Sequence, residues 1–169
     1  MKKVILMIII GIVFTIGCAK SDSSNFNVKM EAGTKIPVFN LQDTEGNKYT
    51  SDKLMGNGKK TVFIMAAEWC PHCKNEMPHL QRFYDENKDK VNVVIVFSNA
   101  NSSLEAVKTY LTKNGYTLPV YYDNDGSIIK GFNVEGFPTN LKIDGDKIEK
   151  VLEPPVDYDK LMMEFYIQN

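Results

Sequence analysis

The sequence predicts an α/β domain: a central mixed β-sheet flanked by helices, with a β-hairpin added on its N-terminal side. Three observations predict it. Apolar, β-branched runs of strand length, at 60–67 and 91–97, alternate with stretches whose apolar residues recur every three or four positions. Turn residues punctuate the chain at Gly46-Asn47, Asn114-Gly115 and Asp144-Gly145. The last strands read as a hairpin and not as another strand–helix unit, so the sheet is mixed around a parallel core.

In chain order, residues 36–43 and 48–50 form the first hairpin around Gly46 and Asn47. Ser51 is placed to cap a short helix through Met55, which Gly56-Asn57-Gly58 ends. Residues 60–67 have the pattern of a strand buried on both faces. A helix follows over 71–87, with Met77, Leu80, Phe83 and Tyr84 on its apolar side. Pro78 removes a backbone donor inside it and predicts a kink. Residues 91–97 are a second buried strand. Ser102 or Ser103 caps the next helix, and Asn114-Gly115 terminates it. Residues 118–122 are a short strand, Asp123 to Gly126 a turn, and a short helix runs through Lys130. Residues 139–143 and 147–152 pair across Asp144-Gly145. Pro154-Pro155 stops that hairpin, and 157–167 is a closing helix.

The chain has 169 residues, which suits one domain with a full core. Its formal net charge of −1, without a basic stripe, excludes a nucleic-acid partner. The first residues do not belong to the domain. Met1-Lys2-Lys3 precedes an apolar run over 4–16. That run is shorter than the roughly 20 residues a spanning helix needs, and it reads as the core of a secretory signal over 1–17. Thr15-Ile16-Gly17-Cys18 resembles the lipobox of bacterial lipoproteins. That resemblance implies acylation of Cys18 after cleavage, and hence a domain tied to a membrane on its extracytoplasmic side. A plain signal peptide or an uncleaved anchor are the alternatives. Residues 18–34 then serve as attachment point and flexible tether, and 35–169 form the domain.

With Cys18 given to a lipid, two cysteines remain, spaced Cys-x-x-Cys, and no third is left for a structural disulfide. Trp69-Cys70-Pro71-His72-Cys73 lies between a buried strand and a helix. Cys70 falls at the N-cap and Pro71 at the first helical position, where its missing donor costs nothing. Backbone donors and the positive helix end then point at the Cys70 sulfur, the surroundings in which thiolates form. The thiolate attacks disulfides, so Cys70 is the candidate nucleophile and Cys73, one turn on, the resolving thiol. A zinc site or a plain disulfide are the alternatives. Zinc would want two more Cys or His ligands, and the chain holds only His72 and His79.

The segment Ala66-Ala-Glu-Trp-Cys-Pro-His-Cys-Lys-Asn-Glu-Met-Pro78 resembles the active-site segment of the TlpA/ResA-like thioredoxins. Gly136-Phe137-Pro138-Thr139, continued by Asn140-Leu-Lys-Ile-Asp-Gly-Asp, is similar to that family's second landmark. The opening Ile36-Pro-Val-Phe-Asn-Leu-Gln-Asp-Thr-Glu-Gly is similar to its hairpin. The resemblance covers about residues 35–169 and implies a thioredoxin fold. It also implies that Pro138 is cis and packs beside Cys70, with the Phe137 backbone pairing with a bound client strand. It implies further that Glu76, one turn after Cys73, is buried and handles the resolving thiol's proton. Trp69, Pro71, His72 and Phe137 would then form the client-binding surface. A protonated His72 would stabilise the thiolate; His79 reads as a helix-surface residue, and Glu68 carries no assignment.

These readings converge on a thiol–disulfide oxidoreductase acting on exported proteins through Cys70 and Cys73, with Glu76 and Pro138 completing the catalytic set. The resemblance favours the reductive direction, as in cytochrome c maturation, recharged by a membrane electron carrier. No cofactor or metal is expected. The alternatives are a disulfide-forming oxidant, which Cys-Pro-His-Cys also suits, a peroxiredoxin-like antioxidant, or a copper-binding chaperone using Cys70, Cys73 and His72.

Overall fold

The structure is a computed structural model and describes residues 25–165. The predicted signal over 1–17, Cys18 and Ile167 lie outside the described residues.

Alternation along two strands builds both halves of the core. In β3 (Lys60–Ala66) and β4 (Val91–Ser98), successive side chains point to opposite faces. Val62, Ile64 and Ala66 join Val93, Ile95 and Phe97 on one face, packed against Cys73, Met77, Leu80 and Phe83 of α2 (Pro71–Asn87). Phe63 and Met65 join Val94 and Val96 on the other, against Phe39, Ile128 and Phe132. A strand covered on both sides has no polar face to show, which is why 62–66 and 93–97 are apolar throughout.

β3 pairs in parallel with β4, and β4 in parallel with β5 (Val120–Asp123). β6 (Thr139–Asp144) runs antiparallel to β3, and β7 (Lys147–Leu152) antiparallel to β6. The sheet order is β5-β4-β3-β6-β7, mixed around a parallel core as predicted. The helices are α1 (Ser51–Met55), α2, α3 (Leu104–Asn114), α4 (Ser127–Gly131) and α5 (Tyr158–Glu164). Ser103 caps α3 by accepting from the Ala106 N–H, and Gly115 ends it in the left-handed region at φ 68°. Helix α2 continues through Pro78.

The N-terminal hairpin is a separate two-stranded sheet, β1 (Asn40–Gln42) and β2 (Lys48–Thr50). Asp43 organises its turn: its carboxylate accepts from the Glu45 and Asn47 N–H groups and from the Tyr49 hydroxyl. Ser51 does not cap α1, whose N-cap is Thr50 without a side-chain bond. The Ser51 hydroxyl instead accepts from the Phe39 N–H at 3.0 Å, and Ser51 N–H returns a bond to the Phe39 carbonyl. A tertiary contact across the hairpin has taken the group that local rules assign to a cap.

The packed domain begins before Lys35, within the predicted tether. Val28 is buried, and its N–H donates to the Gly131 carbonyl at 2.7 Å. The Phe26 ring stacks on Phe39 and meets Phe132 edge-on. Two apolar side chains in a polar stretch have found an apolar groove, and burial holds them there. Gly131 makes room for this strap, because a Cβ at that position would stand 2.3 Å from Phe26 Cε2. Gly131→Ala should therefore destabilise the domain by about 1–3 kcal/mol in denaturant unfolding, the range for overpacking. Phe26→Ala in the same chain should relieve the clash, so that Gly131→Ala costs less there than in the native sequence.

Candidate active site

Strand β3 ends at Ala66, and α2 begins five positions later, at Pro71. Cys70 is the N-cap, with extended φ and ψ, and Pro71 is the first helical residue. The Cys73 N–H points at the Cys70 Sγ, 3.4 Å away, so the sulfur takes the place of a capping oxygen. Both cysteines are free thiols, and both are buried, Cys70 at 4% exposure and Cys73 at 3%. The candidate nucleophile is thus as enclosed as the candidate resolving thiol. Pro71 and His72 are exposed on the first turn, and His79 lies on the exposed side of the helix.

The loop from α4 to β6 closes over the thiols. The Phe137–Pro138 peptide is cis, and Pro138 is buried. The Cys70 Sγ–H donates to the Phe137 carbonyl at 3.3 Å. Trp69, exposed at 44%, meets the Phe137 ring edge-on with centroids 6.0 Å apart. These two aromatics form a partly exposed apolar rim beside a thiol that is otherwise covered.

Glu68 and Trp69 are tied to the segment entering α3. Glu68 Oε2 accepts from the Ser102 hydroxyl at 2.7 Å, and Trp69 Nε1 donates to the Ala100 carbonyl at 2.8 Å. Glu68 therefore gains a role that the sequence leaves blank: it anchors one wall of the rim. The signal was a charged residue between a buried strand and the Cys-x-x-Cys segment, but its partner lies 34 positions away.

Glu76 is 1% exposed, on the inward side of α2. Its Oε1 accepts from the Val156 N–H at 2.8 Å, and both oxygens lie 3.2 Å from Asn140 Nδ2. Burial raises the carboxyl above its ordinary range, against the pull of these donors and of Lys160 and His72. Burial also raises the Cys73 thiol, helped by its hydrogen bond with Cys70 and by the nearby Glu76 charge. Both groups are thereby held toward their neutral forms. Asn140 and the Val156 amide are the members of this site that the sequence does not single out. The available signal was a polar residue in a strand covered on both faces, since Asn140 is 1% exposed opposite Ile64.

The structure thus gathers Trp69, Cys70, Pro71, His72, Cys73, Glu76, Phe137 and Pro138 around the N-terminus of α2. Cys18 lies outside the described residues. Two thiols one turn apart, one with a backbone donor aimed at its sulfur, are equipped for dithiol–disulfide exchange.

The redoxin family model matches residues 31–160. The chain is 35% identical over 119 residues to the thiol-disulfide oxidoreductase ResA of Bacillus thuringiensis subsp. konkukian, covering 70% of this chain and 66% of that protein. It is 33% identical over 142 residues to ResA of Bacillus thuringiensis strain Al Hakam, covering 83% and 79%. The crystal structure of StoA from Bacillus subtilis superposes with a TM-score of 0.67 at 28% identity, covering 75% of this chain and 95% of that one.

Proposed function

The chain belongs to the redoxin family, among the thioredoxin-fold thiol–disulfide oxidoreductases of the ResA and StoA type, and on that premise we propose that Cys70 and Cys73 reduce disulfides in exported client proteins. The observation that carries the reading is the Cys70 Sγ at the α2 N-cap, held between the Cys73 N–H and the Phe137 carbonyl.

The exchange runs in two steps. The Cys70 thiolate attacks one sulfur of the client disulfide. A Cys70–client S–S bond forms, the client bond breaks, and the other client sulfur leaves with the electron pair and takes a proton. Cys73 then passes its proton to the Glu76 carboxylate and attacks the Cys70 sulfur. The Cys70–Cys73 disulfide forms, and the second client sulfur leaves as thiolate. Two electrons have moved from enzyme to client. The raised carboxyl narrows the gap in proton affinity to the raised thiol, which lowers the cost of that transfer. The Phe137 carbonyl is the acceptor that an incoming client backbone would compete for, beside the Trp69–Phe137 rim. A dithiol spent in this way needs a membrane electron carrier to recharge it.

A lipid on Cys18, after removal of residues 1–17, would hold the domain on the extracytoplasmic face of a membrane; the signal architecture supports this placement. The direction of transfer is tested by assaying the full chain both ways. With dithiothreitol as donor it should accelerate insulin disulfide reduction well above the uncatalysed rate. It should oxidise reduced, unfolded ribonuclease little faster than buffer. The reverse pattern would make the protein a disulfide-forming oxidant.

A further inference from the structure

Glu76 and Asn140 lie 64 positions apart and meet in the interior, each 1% exposed. Helix α2 brings the carboxyl, and the antiparallel pairing of β6 with β3 brings the amide. The contact is unequal. Asn140 Nδ2 serves both carboxyl oxygens, while Asn140 Oδ1 is buried with no hydrogen-bond partner among the described residues. A buried acceptor left unpaired costs free energy, so something offsets it at this site. Asn140 also lines a surface pocket of about 470 Å³ with Gly136, Thr139 and Pro154, a pocket Glu76 itself does not reach.

We propose that Asn140 is the positioning residue of the active site, holding the Glu76 carboxyl and setting its proton affinity through an amide that serves either protonation state. With nitrogen toward Glu76, as here, the amide donates to the carboxylate. Turned by 180°, it presents Oδ1 to accept the single O–H of the carboxylic acid, one neutral bond against two charge-assisted contacts to the carboxylate, so on balance the amide lowers the proton affinity of Glu76. The two amide orientations have nearly the same shape, so the exchange needs no backbone movement. Oε1 is held by the Val156 N–H, which leaves Oε2 as the oxygen that carries the proton. The charged and titratable groups facing Glu76 are Cys73 and His72 on α2 and Lys160 on α5. Lys142, next on the same face of β6, is engaged with Glu149 at 2.8 Å. Asn140 is the side chain that hydrogen-bonds the carboxyl among these elements.

The inference rests on the reading of Glu76 as the proton acceptor for Cys73, and its test separates the two. Side-chain ¹³C titration of glutamates in the reduced full chain reads the Glu76 midpoint, assigned by its loss in Glu76→Gln. Asn140→Leu removes the donors and should move that midpoint up by at least about one pH unit, a tenfold gain in proton affinity. Asn140→Asp keeps the shape and adds a second carboxyl. The pair should then share a proton, and the midpoint should again rise, which keeps the test decisive if the leucine variant does not fold. Midpoints unmoved in the folded variants would overturn the proposal. In single-turnover kinetics, Asn140→Leu should shift the pH profile of the resolving step upward, and the shift should vanish in a Glu76→Gln background. A shift that persists there would mean that Asn140 acts on the fold alone. A Glu76→Gln profile identical to the native one would defeat the proton-acceptor reading, while the titration would still decide the role of Asn140.

Discussion

Cys73→Ser should convert the protein into a trap for its clients. Without the resolving thiol, the Cys70–client bond has no intramolecular attacker, so a mixed disulfide should accumulate and resist dilution. It should be visible as a higher-mass band on non-reducing gels that dithiothreitol removes. Cys70→Ser should form no such band and should reduce insulin at the rate seen without enzyme. The asymmetry follows from the site: the Cys73 N–H and the N-terminus of α2 face the Cys70 sulfur, whereas Cys73 is raised by burial. Equal trapping by both variants would mean that the thiols are interchangeable.

Glu76→Gln should slow the resolving step while raising stability at neutral and alkaline pH. Loss of a positioned proton acceptor costs on the order of a hundredfold. Burial lifts the folded carboxyl above its usual value of 4.5, so between the two values the native state holds a proton that the unfolded chain has released. The stabilisation from the neutral form is complete below the unfolded value, and it is lost as pH rises through the folded one. Glutamine is neutral throughout and does not pay this cost. Its melting temperature should therefore exceed that of the native protein increasingly as pH rises from the ordinary carboxylate range through the raised folded value, by roughly 2–4 °C for each kcal/mol. The substitution puts an NH₂ group beside Asn140 Nδ2, and a turned Asn140 amide accommodates it by offering Oδ1. Calorimetry across pH checks the stability; stopped-flow release of client thiol checks the rate.

The features legible in the sequence were those fixed by local rules. Val62, Ile64 and Ala66 alternate with Phe63 and Met65, and this pattern alone places β3 between two layers. Pro71 after Cys70 marks the start of α2, and with it the direction of the thiol. The features not legible depend on register between distant segments. Asn140 is a polar letter in β6 until pairing with β3 sets it opposite Ile64 and within reach of Glu76. The Val156 N–H comes from 80 positions away, and a backbone group leaves no mark in the sequence. Phe26 sits in a polar stretch whose composition suits a tether, yet its ring packs against Gly131 in α4. Ser51 shows the converse, a local capping signal overridden by the bond to Phe39.

Whether Cys70 and Cys73 form a reducing dithiol couple is read from the reduction potential of the full chain equilibrated in thiol–disulfide buffers. A reducing couple should show a single two-electron transition near the value of thioredoxin, about −270 mV, absent in Cys70→Ser. A transition near −120 mV, the range of a strong oxidant, or no two-electron transition at all, would contradict it.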